Sequence, residues 1–296
     1  MKVLLTGATG FLGNYIYSHQ IKQNKVITIS RSGSNINVDL AERIPNIPAV
    51  DLVIHCAGKA HSVPKTLANE KVFFDVNLKG TANLLSGIEN NEELPQAFVF
   101  ISSVAVYGCD TGKMINEDHP LNATDPYGKS KIQAEELIKN WCVKNKVTCV
   151  ILRLPLLVGD NPPGNLGAMI KGIERGYYIN IGGGKAKKSM VFAEDVAKII
   201  ELVAKVGGVY NLTDGYHPSF AELSNAISIK LNKKKPFNIP IWIAKILSVF
   251  GNALGSKAPI NTAKLNKIVS DLTFDDSKAR QNLNWKPSAI LNNFNI

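Results

Sequence analysis

A chain of 296 residues has room for one large α/β domain, or for that domain and a smaller lobe. Its hydrophobic content of 45% and charged content of 20% are those of an ordinary soluble globular protein. The 34 Lys and Arg against 24 Asp and Glu leave a net charge of +10, which suits a polyanionic ligand, yet no strand carries the basic, aromatic-rich pattern of an RNA-binding module.

The first element is Val3-Leu4-Leu5-Thr6-Gly7-Ala8-Thr9-Gly10-Phe11-Leu12-Gly13, an apolar run, three glycines at spacing three and the start of a helical pattern. A buried parallel strand feeding a dinucleotide-binding helix has this pattern. Gly7 permits the tight turn, Gly10 lets backbone approach a pyrophosphate, and Gly13 lets the helix pack on the strand. Thr9, Phe11 and Leu12 complete the cofactor loop. The anion then sits at the helix N-terminus, where free N–H groups and the helix dipole favour negative charge. No Gly-Lys-Ser/Thr is present, which excludes an ATP-type phosphate loop.

Residues 11–22 give the first helix and 25–30 the second strand. An acid closing that strand would bond the adenosine ribose and repel a 2′-phosphate. Here the positions are Ser30-Arg31-Ser32, a guanidinium and two hydroxyls, so NADP is preferred and NAD is the alternative. A short third strand, 36–38, ends at Asp39-Leu40, where the Asp could meet the adenine amino group. The fourth strand, 51–56, closes on Cys56-Ala57-Gly58, small residues that let backbone line the cofactor. His61 follows as a candidate substrate contact. Residues 67–89 read as one long helix and 96–101 as the fifth strand. Strands alternating with helices at this spacing predict an α/β fold, a doubly wound parallel sheet of the Rossmann type.

The fifth strand runs into Ser102-Ser103-Val104-Ala105-Val106-Tyr107-Gly108, and later Asp125-Pro126-Tyr127-Gly128-Lys129-Ser130-Lys131 opens a helix reaching about residue 144. Tyr127 and Lys131, four apart, share a helix face. A phenol with pKa near 10 is a poor base at neutral pH, but a neighbouring ammonium, along with the positive charge of an oxidised nicotinamide, would favour the phenolate and lower that value. A serine hydroxyl can hold the substrate oxygen that gains or loses the proton.

With the glycine loop, the Ser103 segment ending Val-Tyr-Gly, and Tyr127 to Lys131 in order, the chain resembles the extended short-chain dehydrogenase/reductase family, in its nucleotide-sugar 4-epimerase and 4-keto-reductase branch. The resemblance covers nearly the whole length. It implies that Tyr127 transfers the proton, that Lys131 binds the ribose, and that Ser103 is the hydroxyl partner, with Ser102 as the substitute if the register is off by one. The related 4,6-dehydratases carry an Asp-Glu pair where Val104 and Ala105 stand here, and neither of these can move a proton.

Residues 147–154 form a sixth strand followed by Pro155, which in the family abuts the nicotinamide. The expected division is residues 1–160 as the dinucleotide-binding domain and 161–296 as mainly a smaller C-terminal substrate lobe, with a return to the first domain at about 190–212. Asn165, Lys187 and Lys188 are candidate substrate contacts, with a solvated charge run as the plainer reading of the lysines. Arg280 is a candidate second anion contact, an ordinary surface arginine being the plainer reading. Asp195 reads as a helix cap. Segments 219–231 and 241–250 read as helices with Lys233 to Lys235 between them. The stretch 239–250 is too short to span a bilayer. Core packing is expected for it, while contact with a partner or a membrane surface stays open.

Cys56, Cys109, Cys142 and Cys149 lack metal-ligand spacing and read as reduced thiols, so no metal is expected. The early first strand leaves no signal peptide, and a cytoplasmic enzyme is expected. Together these readings predict an oxidoreductase that reduces a UDP-4-keto-sugar at C4, first on the strength of Arg31, because a reductase consumes NADPH. The alternative is a UDP-hexose or N-acetylhexosamine 4-epimerase that retains NAD. A third reading is a non-catalytic dinucleotide-binding regulator or nucleic-acid-associated protein, which the complete Ser, Tyr and Lys set argues against. The resemblance also implies a homodimer through residues 67–89 and 127–144, and no nucleic acid partner.

Overall fold

Residues 1–60, 64, 66–253 and 260–293 are described by a computed structural model of the protein. The first half alternates strand and helix: β1 (Lys2–Thr6), α1 (Phe11–Gln20), β2 (Lys25–Ser30), β3 (Ile36–Asn37), β4 (Leu52–His55), α2 (Leu67–Phe74), α3 (Gly80–Glu89), β5 (Ala97–Ser103), β6 (Gly112–Ile115), α4 (Pro126–Asn145) and β7 (Thr148–Leu154). Then come β8 (Leu156–Val158), α5 (Gly164–Glu174), β9 (Ile179–Ile181), β10 (Met190–Phe192), α6 (Ala193–Val206), β11 (Gly208–Asn211) and α7 (Phe220–Lys230). The chain continues with β12 (Phe237–Ile239), α8 (Ile241–Ala253), α9 (Thr262–Val269), β13 (Leu272–Phe274), α10 (Ser277–Leu283) and α11 (Ile290–Asn293).

Seven strands form one parallel sheet in the order β11-β7-β5-β4-β1-β2-β3. The chain starts near the middle, winds out through β2 and β3, then crosses back to β4 on the other side of β1. The β1–β4 pair is therefore the switch point of a doubly wound sheet, outside whose carboxyl ends a ligand crevice opens. Alternate side chains divide between two cores. Val3, Leu5, Ile54 and Leu152 pack with Ile16 of α1 and Ile200 of α6. Leu4, Val53, Phe98 and Ile151 pack with Leu84 of α3 and Ile138 of α4. Burial on both faces is why these strands read as unbroken apolar runs. At roughly 1.5–3 kcal/mol for each large side chain buried, it also pins the register.

Two expectations need correcting in this half. The helix over 67–89 is not regular: α2 and α3 are joined by a wide π turn, Asp75–Lys79. The fifth strand runs on to Ser103, so both serines belong to it. α4 begins as its sequence dictates, with Pro126 in the first turn and the Asp125 carboxylate accepting from Gly128 N at 3.0 Å.

Beyond β7, a separate core of Val158, Leu166, Met169, Met190, Leu223 and Ile227 joins α5 to α7. Among the described residues, three two-stranded parallel pairs, β8–β10, β9–β12 and β6–β13, brace this half; at three or four residues per strand, their period-2 pattern is too short to read from sequence. Asp195 does not cap its own helix, which is entered from Phe192; its carboxylate instead accepts from Ser288 N at 2.7 Å, tying the C-terminal segment to α6. α8 departs further from expectation, since its large apolar side chains face outward rather than into a core. No helix among the described residues is long and apolar enough to cross a membrane.

Candidate active site

At the carboxyl edge of β1 the glycine loop has little freedom. Gly7 sits at φ +73°, and a Cβ there would fall 2.7 Å from Ala57 N. A Cβ at Gly13 would fall 1.9 Å from the Gly7 carbonyl oxygen, so helix and loop touch backbone to backbone. Gly10 begins α1 with no side-chain cap, and no acid lies in the first turn, which leaves its N–H groups for an external anion.

Two joined hollows of about 560 and 480 Å³ open around this loop. They share Gly7, Gly10, Cys56, Gly58, Lys59 and Ala60. One is bounded by Thr9, Ser30, Arg31, Asp39, Leu40 and Ala57. The other is bounded by Phe11, Leu12, Gly13, Ser103, Tyr127, Lys131 and Pro155, with Ser102 at its wall. A cradle that any Cβ would fill, set between two hollows of nucleoside size, fits a dinucleotide.

At the first hollow, the Ser30 hydroxyl is engaged by its own loop, 2.6 Å from Ser32 O and 3.0 Å from Ser34 Oγ. Ser32 is exposed and does not line the hollow. Arg31 is exposed on its rim, while Asp39 accepts from Ala41 N at 2.9 Å.

The second hollow holds the titratable groups. Tyr127 and Lys131 come from the first turns of α4, and Ser103 from the end of β5. The Lys131 ammonium donates to Ile101 O at 2.9 Å and lies 4.4 Å from the centre of the Phe100 ring. Burial draws its pKa down to about 8, with Cys56 and Glu135 pulling the other way. The Tyr127 phenol moves up; the expected downward shift also called on the positive charge of an oxidised nicotinamide. Burial dominates, a hydrogen bond with Ser103 only partly offsets it, and Asp125 and Cys56 push the same way as burial; the Lys131 ammonium is directed at Ile101 O.

Ser102 faces inward, its hydroxyl donating to the buried Glu135 carboxylate at 2.6 Å. Glu135 is also bound by Arg153, through Nε at 3.1 Å and through a second guanidinium nitrogen at 2.8 Å. Arg153 continues to the Tyr107 hydroxyl at 3.1 Å. This ion pair joins α4 to β7, and through Ser102 to β5.

Sequence reasoning passed over Asn77. From the π turn its Oδ1 accepts from Lys59 N at 2.7 Å, and its Nδ2 donates to Lys59 O at 3.1 Å and Ser130 Oγ at 2.9 Å. One buried amide thus holds the cleft wall after β4 against α4. The Asn-Leu-Lys-Gly-Thr string was visible, but nothing in a helical pattern marks an inward amide.

Four of the remaining candidates, Asn165, Lys187, Lys188 and Arg280, line neither hollow. Asn165 and Lys187 are exposed. The Lys188 ammonium donates to Lys267 O at 2.9 Å and Ser270 O at 3.0 Å, satisfying carbonyls at the end of α9. Arg280 pairs with Asp276 at 2.8 Å. His61 lies outside the described residues.

Comparison with known proteins shows the family and the fold. Residues 3–213 match the model of the NAD dependent epimerase/dehydratase family. The N-acetyl-alpha-D-glucosaminyl-diphospho-ditrans,octacis-undecaprenol 4-epimerase of Escherichia coli O157:H7 is 27% identical, over 93% of this chain and 88% of that protein. The UDP-glucose 4-epimerase of Vibrio cholerae is 27% identical, over 98% of this chain and 92% of that one. Among solved structures, the UDP-N-acetylglucosamine 4-epimerase from Bacillus cereus shares the fold with a TM-score of 0.75 at 24% identity, over 98% of this chain and 94% of that one. The human epimerase family protein SDR39U1 with NADPH gives 0.72 at 19% identity, over 95% and 93%.

Proposed function

The chain belongs to the NAD dependent epimerase/dehydratase family, and from that membership we propose that it inverts C4 of a hexose or N-acetylhexosamine carried on UDP. The observation that carries the reading is the convergence of Ser103, Tyr127 and Lys131 on one hollow joined to the glycine loop. The names of both relatives, which end in 4-epimerase over nearly the full length, support C4 inversion ahead of the reduction expected first.

When bound, the nicotinamide dinucleotide supplies a hydride acceptor and donor. Gly7, Gly10, Gly13 and the uncapped start of α1 would hold its diphosphate. Tyr127 takes the proton from the C4 hydroxyl and later returns it, while Ser103 holds that oxygen. The buried phenol is a weak acid by itself, so a cation one helical turn away, Lys131, is needed for it to act as a base. Val104 and Ala105, in the short turn after β5, offer no proton-moving group for dehydration.

Reduction of a 4-keto sugar with NADPH is the second reading, favoured by Arg31 on the rim of the first hollow. A homodimer through α2, α3 and α4 belongs to the proposal and is tested by light scattering. So does a reducing, cytoplasmic setting, which the four free cysteines support.

Incubation of the purified protein with UDP-glucose or UDP-N-acetylglucosamine and catalytic NAD should give both C4 epimers, with no net change in nicotinamide absorbance. Tyr127→Phe should lower kcat by about 10²- to 10⁴-fold. Stoichiometric NADPH oxidation by a UDP-4-keto-sugar, with no interconversion of hexoses, overturns the first reading in favour of the second.

A further inference from the structure

Helix α8 is built inside out. Its buried positions are the small ones, Ala244, Ser248 and Gly251, four and three residues apart. Its large side chains are turned to solvent: Trp242 is 62% exposed, Val249 64% and Phe250 72%, with Ile246 and Leu247 beside them. A helix that packs on a soluble domain shows the opposite arrangement. The chain leading into it adds Phe237, which is 82% exposed.

Along the chain, the charge flanking this helix is of one sign, though Lys267 of that run pairs with Asp110 at 2.9 Å. Between Glu222 and Asp271 the sequence contains eight lysines and no Asp, Glu or Arg, which accounts for most of the net charge of +10. Lys233, Lys234, Lys235 and Lys245 are exposed. The choice of cation discriminates between partners. Protein interfaces are enriched in Arg and depleted in Lys, because the guanidinium fork matches discrete carboxylates. Flexible, strongly hydrated lysines flanking exposed Trp and Phe match a diffuse negative surface with an apolar layer beneath it. No helix among the described residues is long and apolar enough to span such a layer, so α8 could only lie along it.

We propose that α8, with the lysines leading into it, is a docking face for an anionic phospholipid bilayer, the outward apolar side chains entering the headgroup region and the lysines meeting lipid phosphates. This inference does not rest on the reaction in the cleft.

The test is co-sedimentation of the full chain with vesicles of phosphatidylcholine alone and of phosphatidylcholine with phosphatidylglycerol. The protein should pellet with the anionic vesicles, and less so as salt is raised. Trp242 is the exposed tryptophan, Trp141 and Trp285 being buried, so a blue shift of emission on binding reports this helix. Replacing Lys233, Lys234 and Lys235 together by Ser should weaken binding on the order of 100-fold, at about fivefold per lysine. Phe250→Ser with Val249→Ser should weaken it and leave the UDP-hexose assay unchanged, which also confirms that the variant is folded. Failure of the wild type to bind anionic vesicles overturns the proposal. So does binding that is indifferent to both sets of substitutions, or a dimer that the Phe250→Ser, Val249→Ser pair dissolves while vesicle binding stays intact.

Discussion

Lys131→Met should stabilise the free protein at neutral pH while abolishing turnover. The side chain is 5% exposed, and its pKa falls from 10.5 to about 8, chiefly through burial. At about 1.36 kcal/mol per pH unit, that depression corresponds to about 3 kcal/mol held against the native state at pH 7. The unfolded chain binds this proton more tightly than the folded one. Between about pH 8 and pH 10.5 it therefore holds more protons, and stability rises with pH; the penalty is complete below 8 and gone above 10.5. Met keeps most of the apolar stem but leaves Ile101 O without its donor at 2.9 Å, a loss of about 1 kcal/mol. The net expectation is a gain of about 2 kcal/mol at pH 7, turning into a loss of about 1 kcal/mol above pH 10.5. Urea unfolding of both proteins across that range measures the crossing. A variant that is less stable than wild type at pH 7, or a difference that does not change with pH, refutes the reasoning.

Three further perturbations follow from the same packing. Arg153→Met leaves the Glu135 carboxylate, which is 1% exposed, with the Ser102 hydroxyl and the half-exposed Lys139 ammonium at 3.8 Å. It should cost about 3–5 kcal/mol in thermal or urea unfolding, most of it recovered when Glu135→Leu is added; a single-variant loss under about 1 kcal/mol contradicts the pairing. His55, hydrogen-bonded to Thr6 and Thr81, has its pKa lowered to about 3 by burial and then by the Lys131 charge, and so gives full stability above pH 6.5. That stability should fall by up to about 1.4 kcal/mol per pH unit on acidification toward 3, and His55→Asn should lack this limb of the unfolding profile. Gly13→Ala puts a methyl 1.9 Å from Gly7 O, so calorimetry should find dinucleotide binding largely lost. Wild-type affinity in that variant means the loop yields more than the geometry allows.

The parts legible in the sequence were those whose physics is local. An apolar run broken by three glycines has few uses, and a tyrosine and lysine four apart must share a helix face. Asn77 was not legible, because its role depends on a wide turn and on backbone 18 residues earlier, with which no periodicity is associated. The Glu135–Arg153 pair was equally hidden, since its members sit on different elements and look like a surface charge and a strand anomaly. α8 showed an apolar stretch, but pattern alone does not say which side of such a helix meets the protein. For Lys188 and Arg280 the sequence offered charge without direction. Lys188 meets carbonyl groups at a helix end and Arg280 a neighbouring Asp, and only the fold distinguishes those partners from a ligand.

An engineer seeking a tidier protein would be drawn to Asp75–Lys79, where deleting one residue restores ordinary helical bonding. The repair would be self-defeating. One residue is about 100° of helical rotation, enough to swing Asn77 off the Lys59 main chain and Phe73 away from its place 6.2 Å from the Tyr127 ring. Local regularity and a competent cleft are opposed at this point, and the extra residue is the means by which a straight rod reaches two walls at once.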